Sequence, residues 1–358
     1  MLAFTFVSSS GARVTDVRLG TRSTLVTTSP AVDSLPDSDP SQEGVAPRSA
    51  PVVPAGAAGR LRLPETVLAP PPDRLKIRWT YTLSIVTVHA LALLACVPWL
   101  FSWWGLGACL LGLYVFGTLG VNVGFHRLLT HRSFACSKPV EKALALLGVC
   151  CLQEGPGRWV AIHRQHHQHS DDRPDPHSPL VAFVWGHIGW LLVTNSATDT
   201  YSLYQRYAKD LMTQPFYLKL ERRLNWLWVY IAHAVLIAAA TFAVGWLVTR
   251  APPAALRLTA SMVVWGVILR TVLVWHITWS VNSLSHMFGY QSHDTGDHST
   301  NNWLVALISN GEGWHNNHHA DPRSAAHGHR WYELDVSYLS ILAMEKVGLA
   351  RKVMRPDR

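Results

Sequence analysis

Histidine is where this sequence concentrates its chemistry. The chain carries 19 His against only 5 Cys in 358 residues. Most of the His fall into short boxes. GFHRLLTHRSF holds His126 and His131, and WVAIHRQHHQHSDDRPDPHSP holds His163, His166, His167, His169 and His177. WSVNSLSH holds Asn282 and His286, and GEGWHNNHHADP holds His315, His318 and His319. Residues three and four apart share a helix face, so each HxxHH trio can present three imidazoles to one side, and Asn282 and His286 pair in the same way. His126 and His131 are five apart and do not share a face on a straight α-helix. A helix ending near His126, with a turn before His131, is the expectation there. Together the boxes can build a nitrogen-only site for two metals, and imidazole suits Fe, Zn, Cu and Ni. The boxes contain no Cys, which argues against a thiolate zinc or iron–sulfur site, and the two-helix Glu-x-x-His pattern of soluble di-iron bundles, one copy on each of two helices, is absent. His169, Asp172, Asp175 and His177 stand beside the second box as candidates to orient ligating rings. His89, His187, His233 and His276 lie in apolar stretches and read as core histidines. His293, His298, His327 and His329 read as loop residues.

The elements that must position these boxes follow from composition. Charged residues are 15% of the chain, against about 25% in a typical soluble domain. That leaves too few cations for a nucleic-acid face, despite a net charge of +8. A hydrophobic share of 49% excludes a disordered chain, and Cys96 and Cys109 lie in apolar runs rather than a disulfide framework. Residues 1–70, rich in Ser, Thr, Pro, Ala and Gly, are expected to form a disordered N-terminal extension, most simply a dispensable tail. Four apolar runs can span a bilayer, roughly 80–100, 106–125, 227–248 and 258–282. They make two helical hairpins with short loops. Residues 126–225 and 286–358 then lie on one side as a His-rich cap. Arg74, Lys76, Arg78, Arg127, Arg132, Lys138, Lys142, Lys219, Arg222 and Arg223 flank the cap ends of the spans. That bias puts both termini and the His boxes in the cytosol. The stretches 139–152 and 179–195 look too short or interrupted to span. Trp185 and Trp190 suit helices at the interface, and a short fifth span is the competing reading. Arg270 falls about 21 Å along the fourth run, counted from Leu256, in the cytosolic third where its side chain is expected to snorkel.

At the His boxes the chain resembles the membrane-bound fatty acid desaturases, and within them the delta-9 branch of stearoyl-CoA and acyl-lipid desaturases. GFHRLLTHRSF, EGPGRWVAIHRQHHQHSDD, HIGWLL, WSVNSLSHMFGY, DTGDHSTNN and GEGWHNNHH carry the likeness, which covers roughly residues 75–350. It implies an all-α integral membrane fold, with four transmembrane helices in two hairpins under a cytosolic cap that holds two iron ions. The implied ligands are His126, His131, His163, His166, His167, His286, His315, His318 and His319, with Asn282 completing the shell through water. Positions matching Gln153, Trp159 and Thr278 line the bend of an acyl tunnel. The implied reaction inserts a cis double bond into a saturated acyl-CoA or acyl-lipid, using O2 and two electrons from an external donor of cytochrome b5 or ferredoxin type. A bacterial inner membrane is the implied location. Two alternatives accompany this reading. One is an acyl-chain hydroxylase or monooxygenase on the same scaffold. The other is a membrane haem or metal-binding protein, disfavoured because the boxed His lie beyond the spans.

Overall fold

The computed structural model describes residues 76–172, 174–195 and 198–356, so the expectation for residues 1–70 lies outside the described residues. Among the described residues, four helices are long and apolar enough to cross a membrane: Trp79–Cys96, Trp103–Thr130, Pro215–Thr249 and Pro252–Leu284. They match the four apolar runs in number and order. The first contains α1 (Trp79–Ala92), whose last turns tighten before Pro98. Ser102 starts α2 (Trp103–Gly112) by accepting the Gly105 amide at 2.9 Å. The second hairpin joins α9 (Asn225–Thr249) to α10 (Pro252–Val263). Arg250 takes a left-handed turn there, with φ 52°, and Pro252 opens the next helix.

The end of the second span departs from expectation. Beyond Gly112 the helix does not stop near His126 but continues in wide, π-type turns through Leu113–Thr130. The His131 amide donates to the His126 carbonyl at 3.1 Å, an i+5 bond. That winding stacks residues five apart, so the two rings meet with centroids 4.8 Å apart. The α-helical period used to read the sequence could not show this.

α3 (Lys138–Val149) runs back along this wide segment and is too short to cross a membrane. A side chain at Gly120 would put its Cβ 2.4 Å from the Gly148 amide nitrogen, so the two backbones touch. The short helix α5 (Trp190–Leu192), with the wide turn Trp185–Gly189 before it, is likewise too short to span. α4 (Pro156–His169) carries Pro in its first turn, where a missing amide hydrogen costs nothing. A two-stranded antiparallel pairing, β1 (Ala135–Cys136) with β2 (Ala350–Arg351), ties the chain after the first His box to the far end of the described chain.

Arg270, the first residue of α11 (Arg270–Leu284), corrects a second expectation. It does not snorkel and is fully buried inside the bundle. Its Nη1 donates to the Cys150 carbonyl at 2.7 Å and its Nε to the Gly266 carbonyl at 3.2 Å, while the guanidinium lies 4.5 Å from the Phe116 ring. Cys150 is the C-cap of α3, so the cation sits at the negative end of that helix.

Candidate metal centre

Four elements deliver the boxed histidines. The wide turns of the second span bring His126, and His131 is their cap. α4 carries His163, His166 and His167, His286 lies just past α11, and α13 (His315–Ala320) carries the last three. The ligand atoms of His126, His131, His163, His167 and His318 lie within 4.8 Å of one another. Those of His166, His286, His315 and His319 form a second such group. The groups adjoin, with the rings of His167 and His319 4.5 Å apart.

Each HxxHH trio is divided between the groups. α4 gives His163 and His167 to the first group and His166 to the second; α13 gives His318 to the first and His315 and His319 to the second. Helix geometry explains the split. At 3.6 residues per turn, i+4 overshoots residue i by about 40° and i+3 falls short by about 60°, so the two diverge.

The residues present fit metal ions. His166 Nδ1 faces Asp175 at 3.0 Å, His286 Nδ1 faces Asp171 at 2.8 Å and His319 Nδ1 faces Asp297 at 2.6 Å. His126 Nδ1 bonds Glu312. A carboxylate accepts the Nδ1 hydrogen and leaves Nε2 as a bare lone pair. Those Nε2 atoms face other nitrogens: His126 to His318 and His286 to His315, both at 3.0 Å. His318 Nε2 also faces His167 Nε2 at 3.0 Å, so one hydrogen would have to serve several lone pairs. Buried Nε2 atoms of His131, His166 and His319 have no hydrogen-bond partner among the described residues. Converging lone pairs, with four of the nine rings braced from behind by a carboxylate, are the pattern of a histidine metal site.

Electrostatics agree. Burial, with neighbouring imidazoles adding to it, holds His131, His163, His167, His315 and His318 well below the usual histidine range. Those rings are neutral and their lone pairs are free. Burial pulls His319 down to about 4 against the bond to Asp297. At His166 burial opposes charge, but the Asp175 carboxylate prevails and raises the pKa.

Of the four flanking candidates, Asp175 bonds His166 and His177 packs its ring 4.5 Å from the same imidazole. The other two do not reach the rings of either group. His169 Nε2 lies 3.3 Å from the Tyr207 hydroxyl, and Asp172 is exposed. Its neighbour Asp171 is the one that turns inward. The sequence reading missed three of the four bracing carboxylates, Asp171, Asp297 and Glu312. It also missed His327, which is buried and stacks 4.2 Å from His318. Arg127 lies fully buried under Glu312, donating to it at 2.8 Å. Arg127 and then His126 outweigh burial and hold that carboxyl below its ordinary pKa.

A mostly apolar cavity of about 570 Å³ begins at His126, His163 and His315 and runs between α1 and α9. Gln153, Trp159, Thr278 and Asn282 all line it. Three of them form one hydrogen-bonded chain: Trp159 Nε1 donates to Gln153 Oε1 at 3.0 Å, and Gln153 Nε2 donates to Thr278 Oγ1 at 2.9 Å. The volume lies within the usual range for small-molecule sites.

Comparison with known proteins agrees with the site. The fatty acid desaturase family model matches residues 101–336. The sn-1 stearoyl-lipid 9-desaturase of Anabaena variabilis is 41% identical over 283 residues, covering 79% of this chain and 96% of that protein. The sn-2 palmitoyl-lipid 9-desaturase of Nostoc sp. (strain 36) is 42% identical, covering 78% and 91%. The chloroplastic palmitoyl-monogalactosyldiacylglycerol delta-7 desaturase of Arabidopsis thaliana is 40% identical, covering 76% and 68%. The chain therefore belongs to the fatty acid desaturase family, a family of oxidoreductases, on the branch that holds the acyl-lipid 9-desaturases.

Proposed function

We propose that the chain inserts a cis double bond at position 9 of a saturated acyl chain carried on a membrane lipid. The observation that carries this reading is the sorting of nine imidazoles into groups of five and four at the head of an apolar cavity. Two iron ions held by His126, His131, His163, His167 and His318 and by His166, His286, His315 and His319 would supply, with O2, the oxidation of the methylene pair. Overall, two neighbouring methylenes, O2, two electrons and two protons become an alkene and two waters.

The side chains contribute placement. Methylene C–H bonds offer no acidity, so a general base has nothing to remove and orientation carries the protein's share. The Trp159–Gln153–Thr278 chain sets a rigid polar bend in a mostly apolar cavity, and an acyl chain threaded past it presents one C–C bond to the imidazoles. Asp171, Asp175, Asp297 and Glu312 hold the Nδ1 hydrogens and aim Nε2 inward. Asn282 stands in the cavity lining one helical turn before His286, where its amide would hold a water toward the group of four.

Electrons come from an external carrier of cytochrome b5 or ferredoxin type. The cations flanking the spans support a cytosolic cap with both termini on that side, and the relatives in Anabaena and Nostoc support a bacterial inner membrane. The names of the relatives in Anabaena and Nostoc support a lipid-bound rather than CoA-bound acyl chain. Expression in a desaturase-deficient host, with positional mass spectrometry of each lipid class, tests the reading. The expected products are 9-alkenes in glycerolipids, lost in His166→Ala and His318→Ala. Alcohols, or full activity in both variants, would sink it.

A further inference from the structure

Three histidines outside both metal groups form a row of hydrogen bonds across three elements. His89 on α1, His276 on α11 and His187 in the turn before α5 are all half-buried. His89 Nδ1 donates to the Ile85 carbonyl at 2.7 Å, which leaves its Nε2 as an acceptor. His276 Nε2 donates to it at 3.0 Å. With His276 neutral, its Nδ1 accepts from His187 Nε2, also at 3.0 Å. His187 Nδ1 then faces the Ser283 hydroxyl at 2.9 Å, whose hydrogen can serve either that ring or the Trp279 carbonyl at 2.8 Å. A single backbone carbonyl thus fixes three tautomers. His276 meets each neighbour with a different nitrogen, so the row shares no point where an ion could sit, unlike the two metal groups.

All three rings surround one indole. Trp279 stacks with His89 at 6.5 Å and takes His187 and His276 edge-on at 5.8 and 5.2 Å. Trp279 lines the acyl cavity, next in sequence to Thr278 of the polar bend and one turn before Asn282. It is 5% exposed, and Ile85 and Trp275 pack beside it. We propose that the His89–His276–His187 row is a positioning device that clamps the Trp279 wall of the cavity and thereby sets which methylene pair is oxidised. The row itself touches neither substrate nor metal. It latches α1 and the α5 turn to α11, so a shift of either element would tilt Trp279 and carry the bend with it.

This inference rests on the desaturase reading above, and the experiment separates the two. His276→Leu removes both ring hydrogen bonds, and His276→Gln keeps a polar end. His89→Leu breaks the row at its far end and serves where His276→Leu does not accumulate. Each full-length enzyme is expressed in a desaturase-deficient host and purified, and double-bond position, kcat, KM, iron content and thermal midpoint are measured. In the leucine variants we expect kcat to fall about tenfold or more, with KM within about twofold and the double bond spread to neighbouring positions. Iron content should stay at the wild-type level. His276→Gln should recover most of the wild-type positional pattern. An unmoved double bond in accumulated leucine variants overturns the proposal, even if rate and midpoint fall together. Absence of any alkene from the wild-type chain overturns the desaturase reading and this inference with it.

Discussion

His319 shows how a carboxylate-braced ring of the boxes is set. Its Nδ1 faces Asp297 at 2.6 Å, and Asp297 in turn accepts from the Thr295 hydroxyl at 2.6 Å and from the Ser299 amide at 3.0 Å. The carboxylate is therefore held before it holds the ring, and His319 and then the Ser299 and Thr295 hydroxyls outweigh burial to keep its pKa low. Asp297→Asn keeps the shape but weakens the acceptor. Iron affinity should fall about 10- to 100-fold, measured by chelator competition on purified protein. Unchanged affinity would mean the pair does not orient the ligand. The rings themselves were legible in the sequence because their spacing is local: an HxxHH trio declares itself within one and a half turns of helix. Three of their four carboxylates were not. Asp171 reaches His286, and Glu312 reaches His126, across more than a hundred residues of chain. Nearness in sequence pointed to Asp172, one residue off, which the local turn exposes instead.

The elements that matter most are those where backbones meet. The wide segment Leu113–Thr130 and α3 approach so closely at Gly120 and Gly148 that a methyl group at Gly120 would lie 2.4 to 2.8 Å from the backbone of Leu147 and Gly148. Neither backbone can yield as a flexible side chain would. Gly120→Ala should therefore destabilise the protein by about 1–3 kcal/mol, seen as a lower thermal midpoint in detergent, with His131 displaced enough to reduce iron content. A midpoint equal to wild type would show that the two helices can part. Span number and order were readable from apolar run length alone, because a bilayer sets that length. The winding of the second span was not, since a period of 3.6 residues was assumed where the chain uses a longer one. Arg270 was misjudged for a related reason. Depth along a helix can be counted, but whether that depth faces lipid or the Cys150 carbonyl depends on packing.

Across the whole molecule, neutral buried imidazoles make stability depend on pH in a stated direction. His319, held at about 4 when folded, regains its ordinary value near 6.5 when the chain unfolds. The unfolded state then binds more protons between those values, so metal-free protein should lose stability as pH falls from about 6.5 to about 4. Thermal midpoints across that range check it; a midpoint that rises on acidification would contradict neutral rings. The divided trios have a further consequence. α4 and α13 each place two rings in one group and the third in the other, in opposite senses. The two groups are thus interlocked like crossed hands, and neither can be assembled from one helix alone. Docking α4 against α13 brings three of the five rings of one group and three of the four of the other together at once. Iron should therefore load as a unit, with occupancy passing from none to two ions without a stable one-ion form. Loss of His166 from one group should weaken ion retention in the other.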